Sequence, residues 1–153
     1  MDRPALRYSP LVTTALGIAA VLIGSLAVAG QLISALDFKL AQRLGLQEGD
    51  QHSDRLHRHL ELSTARFDVL VLWTLPLAGV VMLIGTFWWP WVALIAGGVW
   101  VDAGGRESLK LRALRAEGIL VGSEQEIRLG RVFLALMVVL GLALIAHSLV
   151  VLG

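Results

Sequence analysis

Charged side chains are missing from three long stretches of this chain. They are Leu11–Leu36 (26 residues), Val69–Val101 (33 residues) and Val132–Gly153 (22 residues). Apolar runs of about 18 residues or more read as membrane spans. The expected fold class is therefore all-α, a polytopic membrane protein. The middle run sets the number of spans. As one helix it would extend about 50 Å at ~1.5 Å per residue, against a hydrocarbon core of ~30 Å. Trp88-Trp89-Pro90-Trp91 sits inside it. Proline favours the first turn of a helix and tryptophan the membrane interface. The run is thus read as a tight hairpin, with helix 2 ending near Trp88 and helix 3 starting at Pro90. Four transmembrane helices follow, at about 11–36, 67–88, 90–109 and 130–152, in an up-down bundle that makes a single domain of residues 1–153.

The helices are expected to outrun the membrane, with cytoplasmic segments at about 37–66 and 110–129. Helix 1 is read as continuing past Leu36 through Phe38, Leu40 and Leu44 to a stop at Gly45. A new helix starts near Asp54, with Leu56, Leu60, Ser63 and Phe67 on one face at amphipathic spacing. Pro76 should kink helix 2. Helix 3 runs to Glu117 and ends at Gly118. Ser123 and Glu126 have the spacing of a capping box, which introduces helix 4. Ala20 with Gly24, and Ala93 with Gly97, offer small-residue faces for close helix packing.

Charge orients the bundle. Lys39, Arg43, Arg55, Arg58 and Arg66 lie in one loop; Arg106, Lys110, Arg112, Arg115, Arg128 and Arg131 lie in the other. Only Arg3 and Arg7 fall on the opposite side. The positive-inside rule then puts both long loops in the cytoplasm and both termini outside. Tyr8, Phe87, Trp88, Trp89 and Trp91 would form the outer aromatic belt; Phe38, Phe67, Trp100 and Phe133 the inner one. Ala27-Val28-Ala29 resembles a signal-cleavage site, but the preceding apolar stretch is long and the run continues to Leu36, so an uncleaved first helix is expected. Hydrophobic residues make up 56% of the chain, and net charge is +1. This composition gives no sign of nucleic-acid binding. The absence of cysteine excludes disulfides, thiolate metal sites and thiol catalysis. The Ala/Leu/Gly/Arg-rich usage suits a bacterial-type inner membrane.

Candidate chemistry is sparse. Asp102 lies about a dozen residues into helix 3, with Arg106 one turn on as its partner. Alternatively, Asp102 is an ordinary interfacial anchor over a thinned bilayer. Gln31, Ser34 and Thr74 fall at similar depth and would complete a polar pocket on the cytoplasmic side, or serve as interhelical hydrogen-bond glue. His147 is the one histidine within a span, suited to a proton relay or to a plain hydrogen bond with a helix-1 threonine. His52, Asp54, His57, His59 and Glu61 form a histidine-rich stretch. His57 and Glu61 share a helix face, yet no metal-site motif is present, so a solvated helix face is expected and neither a metal nor a cofactor is implied. Arg106 to Arg115 suits anchoring at anionic headgroups.

Four spans in about 150 residues, with two cytoplasmic loops and external termini, are similar to the membrane-associated eicosanoid and glutathione metabolism (MAPEG) proteins. Those carry an Arg/His/Asn/Glu-bearing motif leading into helix 2. Arg55-Leu56-His57-Arg58-His59-Leu60-Glu61 lies in the corresponding place, without the asparagine, and the one tyrosine is Tyr8. The resemblance implies a transferase acting on a lipophilic substrate, with Arg55, His57, Arg58 and Glu61 at its site. The residues themselves lead instead to a non-enzymatic accessory or interaction component of the inner membrane. Its partners would be the lipid bilayer and a membrane protein or a second copy. A third reading is a transport or proton-handling component using Asp102 and His147.

Overall fold

A computed structural model describes residues 9–153. Arg3 and Arg7, expected in an outer tail, and Tyr8, expected in an outer belt, lie outside the described residues. Regular structure is helical throughout: α1 (Pro10–Leu36), α2 (Phe38–Arg43), α3 (Arg55–Val71), α4 (Thr74–Leu83), α5 (Trp89–Ala116) and α6 (Glu124–Leu152). Three helical runs are long and apolar enough to cross a membrane: Pro10–Leu36, Arg55–Leu83 and Glu124–Leu152. The segment α5 is as long, but its tryptophans, Asp102 and Arg106 make it less apolar. Leu22, Leu26, Leu70, Ile84, Ile95 and Val139 are all exposed. Water tolerates so large an apolar lateral surface poorly; lipid suits it.

Local chemistry sets most helix ends. Pro10 opens α1, where no backbone N–H is needed. The expected continuation of helix 1 beyond Leu36 is not found. Asp37 turns extended (φ −143°), and its carboxylate accepts the Leu40 N–H at 2.9 Å, which caps a separate short helix. Gly45, at φ 71°, closes that helix in a left-handed conformation that glycine adopts without steric cost. Helix 2 is interrupted rather than merely bent. Pro76 cannot donate to the Leu72 carbonyl, and its ring would clash with it, so the chain breaks at Leu72–Trp73. Trp73 Nε1 and Thr74 Oγ1 then satisfy the Leu70 and Val71 carbonyls at 2.7 and 2.8 Å. Helix 2 also stops at Leu83, short of the expected Trp88, with Gly85 at φ 68° two residues on. Ser123 and Glu126 form the capping box of α6.

Two helical hairpins pack together. The α1 helix lies against α3 and α4, α5 lies against α6, and α4 joins the hairpins by packing on α5. Glycines permit the closest approaches. A Cβ on Gly79 would lie 2.5 Å from the Gly17 carbonyl oxygen, and one on Gly97 would lie 2.6 Å from that of Gly141. Gly24 receives the ring of Pro76. The small-residue faces of α1 and α5 are thus already occupied within the chain. Trp89 and Trp100 are buried, the latter completely, so neither belongs to an interfacial belt. The loop before α3 and the loop before α6 are joined by an isolated bridge between Ser53 and Val121. Asp54 holds the same junction: its N–H donates to the Leu120 carbonyl and its carboxylate accepts the Leu120 N–H at 2.7 Å.

Candidate functional site

The face of α3 that points inward carries a polar stripe. Leu56 and Phe67 are exposed, whereas His57, Glu61, Thr64 and Asp68 turn toward α1 and α5. This overturns the expected solvated face for His57, which is completely buried. Its partners draw the stripe inward: Glu48 lies 3.4 Å from His57, and Lys110 of α5 lies 2.8 Å from Glu61.

These residues help enclose a cavity of about 480 Å³ between α1, the loop after α2, α3, α5 and α6. Leu26, Leu72, Phe133, Leu134 and Met137 form its apolar wall. Gln31, Ser34, Gln47, Glu48, Glu61, Thr64, Asp68, Glu107 and Glu126 form its polar wall. Gly30 on α1 and Gly130 on α6 also line it, and a Cβ on either would meet nothing within 4 Å. Five carboxylates face the space, and none of the lining residues is basic.

Cations stand behind the carboxylates. Lys110 Nζ lies 2.8 Å from Glu61 and also pairs with Glu107, bridging α3 to α5. Burial alone would lower the lysine's pKa, but Glu61 and Glu107 together outweigh it and hold the ammonium above the usual lysine range. Asp68 is 3% exposed; Arg106 lies 3.6 Å from its Oδ1, yet that oxygen accepts no hydrogen bond within the protein. The Arg106 guanidinium also sits over the Phe67 ring at 5.7 Å. His57 lies between Glu48, at 3.4 Å, and Glu61, at 3.8 Å. Ser34 donates to the Gly30 carbonyl and accepts from Gln47. The Gln31 side-chain oxygen is buried without a hydrogen-bond partner.

The structure therefore places Gln31 and Ser34 in a polar pocket, but with companions the sequence reading did not name. Thr74 is instead used in the break before α4. Asp102 points outward, its side chain 70% exposed, and reaches only Arg106 at 3.9 Å. His147 lies ten residues beyond Met137, the last α6 residue lining the cavity. There it hydrogen-bonds Thr13 at 2.8 Å and stacks on Trp89. The transport pair Asp102 and His147 is not brought together. Nor do the four residues of the MAPEG-like stretch converge. His57 and Glu61 face inward, Arg58 binds Asp50 and the Ser53 carbonyl, and Arg55 is exposed beside α2.

Gln47, Glu48, Thr64, Asp68, Glu107 and Lys110 are among the residues that sequence reasoning did not place at the site. A signal was present: His57, Glu61, Thr64 and Asp68 recur at i, i+4, i+7, i+11, a polar stripe leading into an apolar run. Comparison with family models, with curated proteins and with solved structures yields no match.

Proposed function

We propose that this chain is a four-span protein of the inner membrane that acts by non-covalent binding rather than catalysis. It would be an accessory component whose working part is the cavity between α1, α3, α5 and α6. The observation that carries this reading is the cavity's mixed lining, which sets Leu26, Leu72, Phe133, Leu134 and Met137 beside five carboxylates. Ligand sites are concave, largely apolar and furnished with a few placed polar groups, at volumes of about 300–1,000 Å³. The titratable groups around the space are tied to structural partners: Glu61 and Glu107 to Lys110, Asp68 to Arg106, and Glu126 to the α6 cap. Such groups position and select; they do not form a nucleophile–base pair.

As the fourth span, α5 is supported by its packing. It runs antiparallel along α6, touching it at Gly97–Gly141 and again at Gly104–Leu134. With four spans, the concentration of Lys and Arg in the two long loops would put both termini outside the cytoplasm and the Ser53–Val121 junction inside. The test is a thermal-stability screen of small amphiphiles on the protein in nanodiscs, run beside Gly30→Leu, which fills the cavity from an open position. Stabilisation of the wild type that is lost in Gly30→Leu supports the reading. A chain that no amphiphile stabilises, or a variant that responds equally, overturns it.

A further inference from the structure

We infer that the cavity selects a lipophilic protonated amine: an apolar body carrying a cationic N–H donor. This deepens the proposed binding function and rests on it. Charge is the first ground. Glu48, Glu61, Asp68, Glu107 and Glu126 face the space, with only Lys110 and Arg106 directly paired to them as permanent cations, and Arg106 is shared with Asp102. A negative surplus remains, and the low-dielectric apolar wall strengthens its attraction for a cation.

Hydrogen bonding is the second ground and comes from different atoms. Asp68 Oδ1, in a side chain almost wholly buried, and Gln31 Oε1 are both buried acceptors that receive no hydrogen bond within the protein, Arg106 standing 3.6 Å from the former. They come from α3 and α1, and both residues line the cavity. Two unmet acceptors beside an acidic wall call for a donor that is also positive. An ammonium provides both, whereas a quaternary ammonium supplies charge without donors. The third ground is the apolar part of the lining. Leu26, Leu72, Phe133, Leu134 and Met137 would be left unsatisfied by a small hydrated inorganic cation, but they suit an alkyl or aryl body.

The experiment uses one carbon skeleton with its head group varied. Equilibrium dialysis of the full chain in zwitterionic nanodiscs, against empty nanodiscs, measures the saturable binding of 4-phenylbutylamine. Its N-trimethylated form, 4-phenylbutanol and 4-phenylbutanoate are measured in parallel. The amine is expected to bind about tenfold or more tightly than the alcohol, in line with a charge-assisted hydrogen bond in a low dielectric. The trimethylated form should fall between them, and the carboxylate should not bind saturably. Asp68→Asn should weaken the amine and leave the alcohol unchanged. Gly30→Leu, at a position where an added Cβ meets nothing within 4 Å, should abolish both, with circular dichroism showing the variant folded. Equal binding of amine and alcohol, lost in Gly30→Leu, overturns the amine inference and leaves the binding cavity standing. Absence of saturable binding for all four compounds overturns both. Trimethylated binding equal to that of the amine overturns the N–H requirement.

Discussion

Gly97 and Gly98 are adjacent on α5, and the same substitution should move stability in opposite directions. An alanine Cβ at position 97 would lie 2.6 Å from the Gly141 carbonyl oxygen and 2.8 Å from Ile145 Cγ1. Both contacts are well inside van der Waals distance, and the first is to backbone that cannot swing away. The helices must separate by several tenths of an ångström along their seam, which loosens the neighbouring contact of Gly104 with α6. Overpacking of this kind costs roughly 1–3 kcal/mol. Replacing a helical glycine by alanine returns about 0.5–1 kcal/mol through reduced backbone entropy. The net expectation for Gly97→Ala is a loss of about 1–2 kcal/mol. At Gly98 a Cβ meets nothing within 4 Å, so only the propensity gain remains, and Gly98→Ala should stabilise by about 0.5–1 kcal/mol. Reversible unfolding of the detergent-solubilised protein by SDS titration, followed by circular dichroism, reads both variants. If the two variants shift the midpoint alike, or Gly97→Ala is neutral, α5 does not meet α6 at this register.

Three further outcomes follow from other contacts. Lys110→Met leaves Glu61 and Glu107 side by side without their shared cation and should cost about 2–3 kcal/mol, less than a fully buried pair because both acids retain some exposure. The loss should shrink as pH falls and the acids protonate, and adding Glu107→Gln should recover most of it; a loss independent of pH would refute the charge argument. In the wild type the folded Lys110 pKa is raised, so its contribution is complete below the ordinary lysine value and disappears only as pH climbs through the raised one. A titration across neutral pH should therefore show no loss from this group. Asp37→Ala removes the acceptor of the Leu40 N–H and should lower stability by about 1 kcal/mol, with Asp37→Asn nearly harmless; chemical denaturation distinguishes them. Asp54→Ala should uncouple the loops before α3 and α6, and hydrogen exchange at the Leu120 and Gly122 amides should accelerate while α5 and α6 keep their protection.

Much of the architecture is local and was therefore legible. Uncharged runs locate the apolar helices because lipid excludes charge whatever the helices pack against. Ser123 with Glu126, Gly45, Gly118 and Pro76 act on backbone groups within four residues of themselves, so their effects could be read from spacing alone. Local chemistry was also misjudged at Asp37. There the apolar pattern through Leu44 suggested continuity, but a single carboxylate could satisfy the N–H groups of a fresh start. What remained hidden depends on contacts between segments far apart in the chain. Lys110 meets Glu61 and Thr64, Asp54 meets Leu120, and Gly97 meets Gly141. No periodicity in either partner specifies the other. The direction of the α3 polar stripe was undetermined for a related reason. An amphipathic pattern fixes which residues share a face, but not which face is inside. Water turns the polar side out and lipid turns it in, and α3 passes from one solvent toward the other. Only the folded chain, with α5 supplying Lys110 and Arg106 against that stripe, settles it inward and creates the acidic cavity.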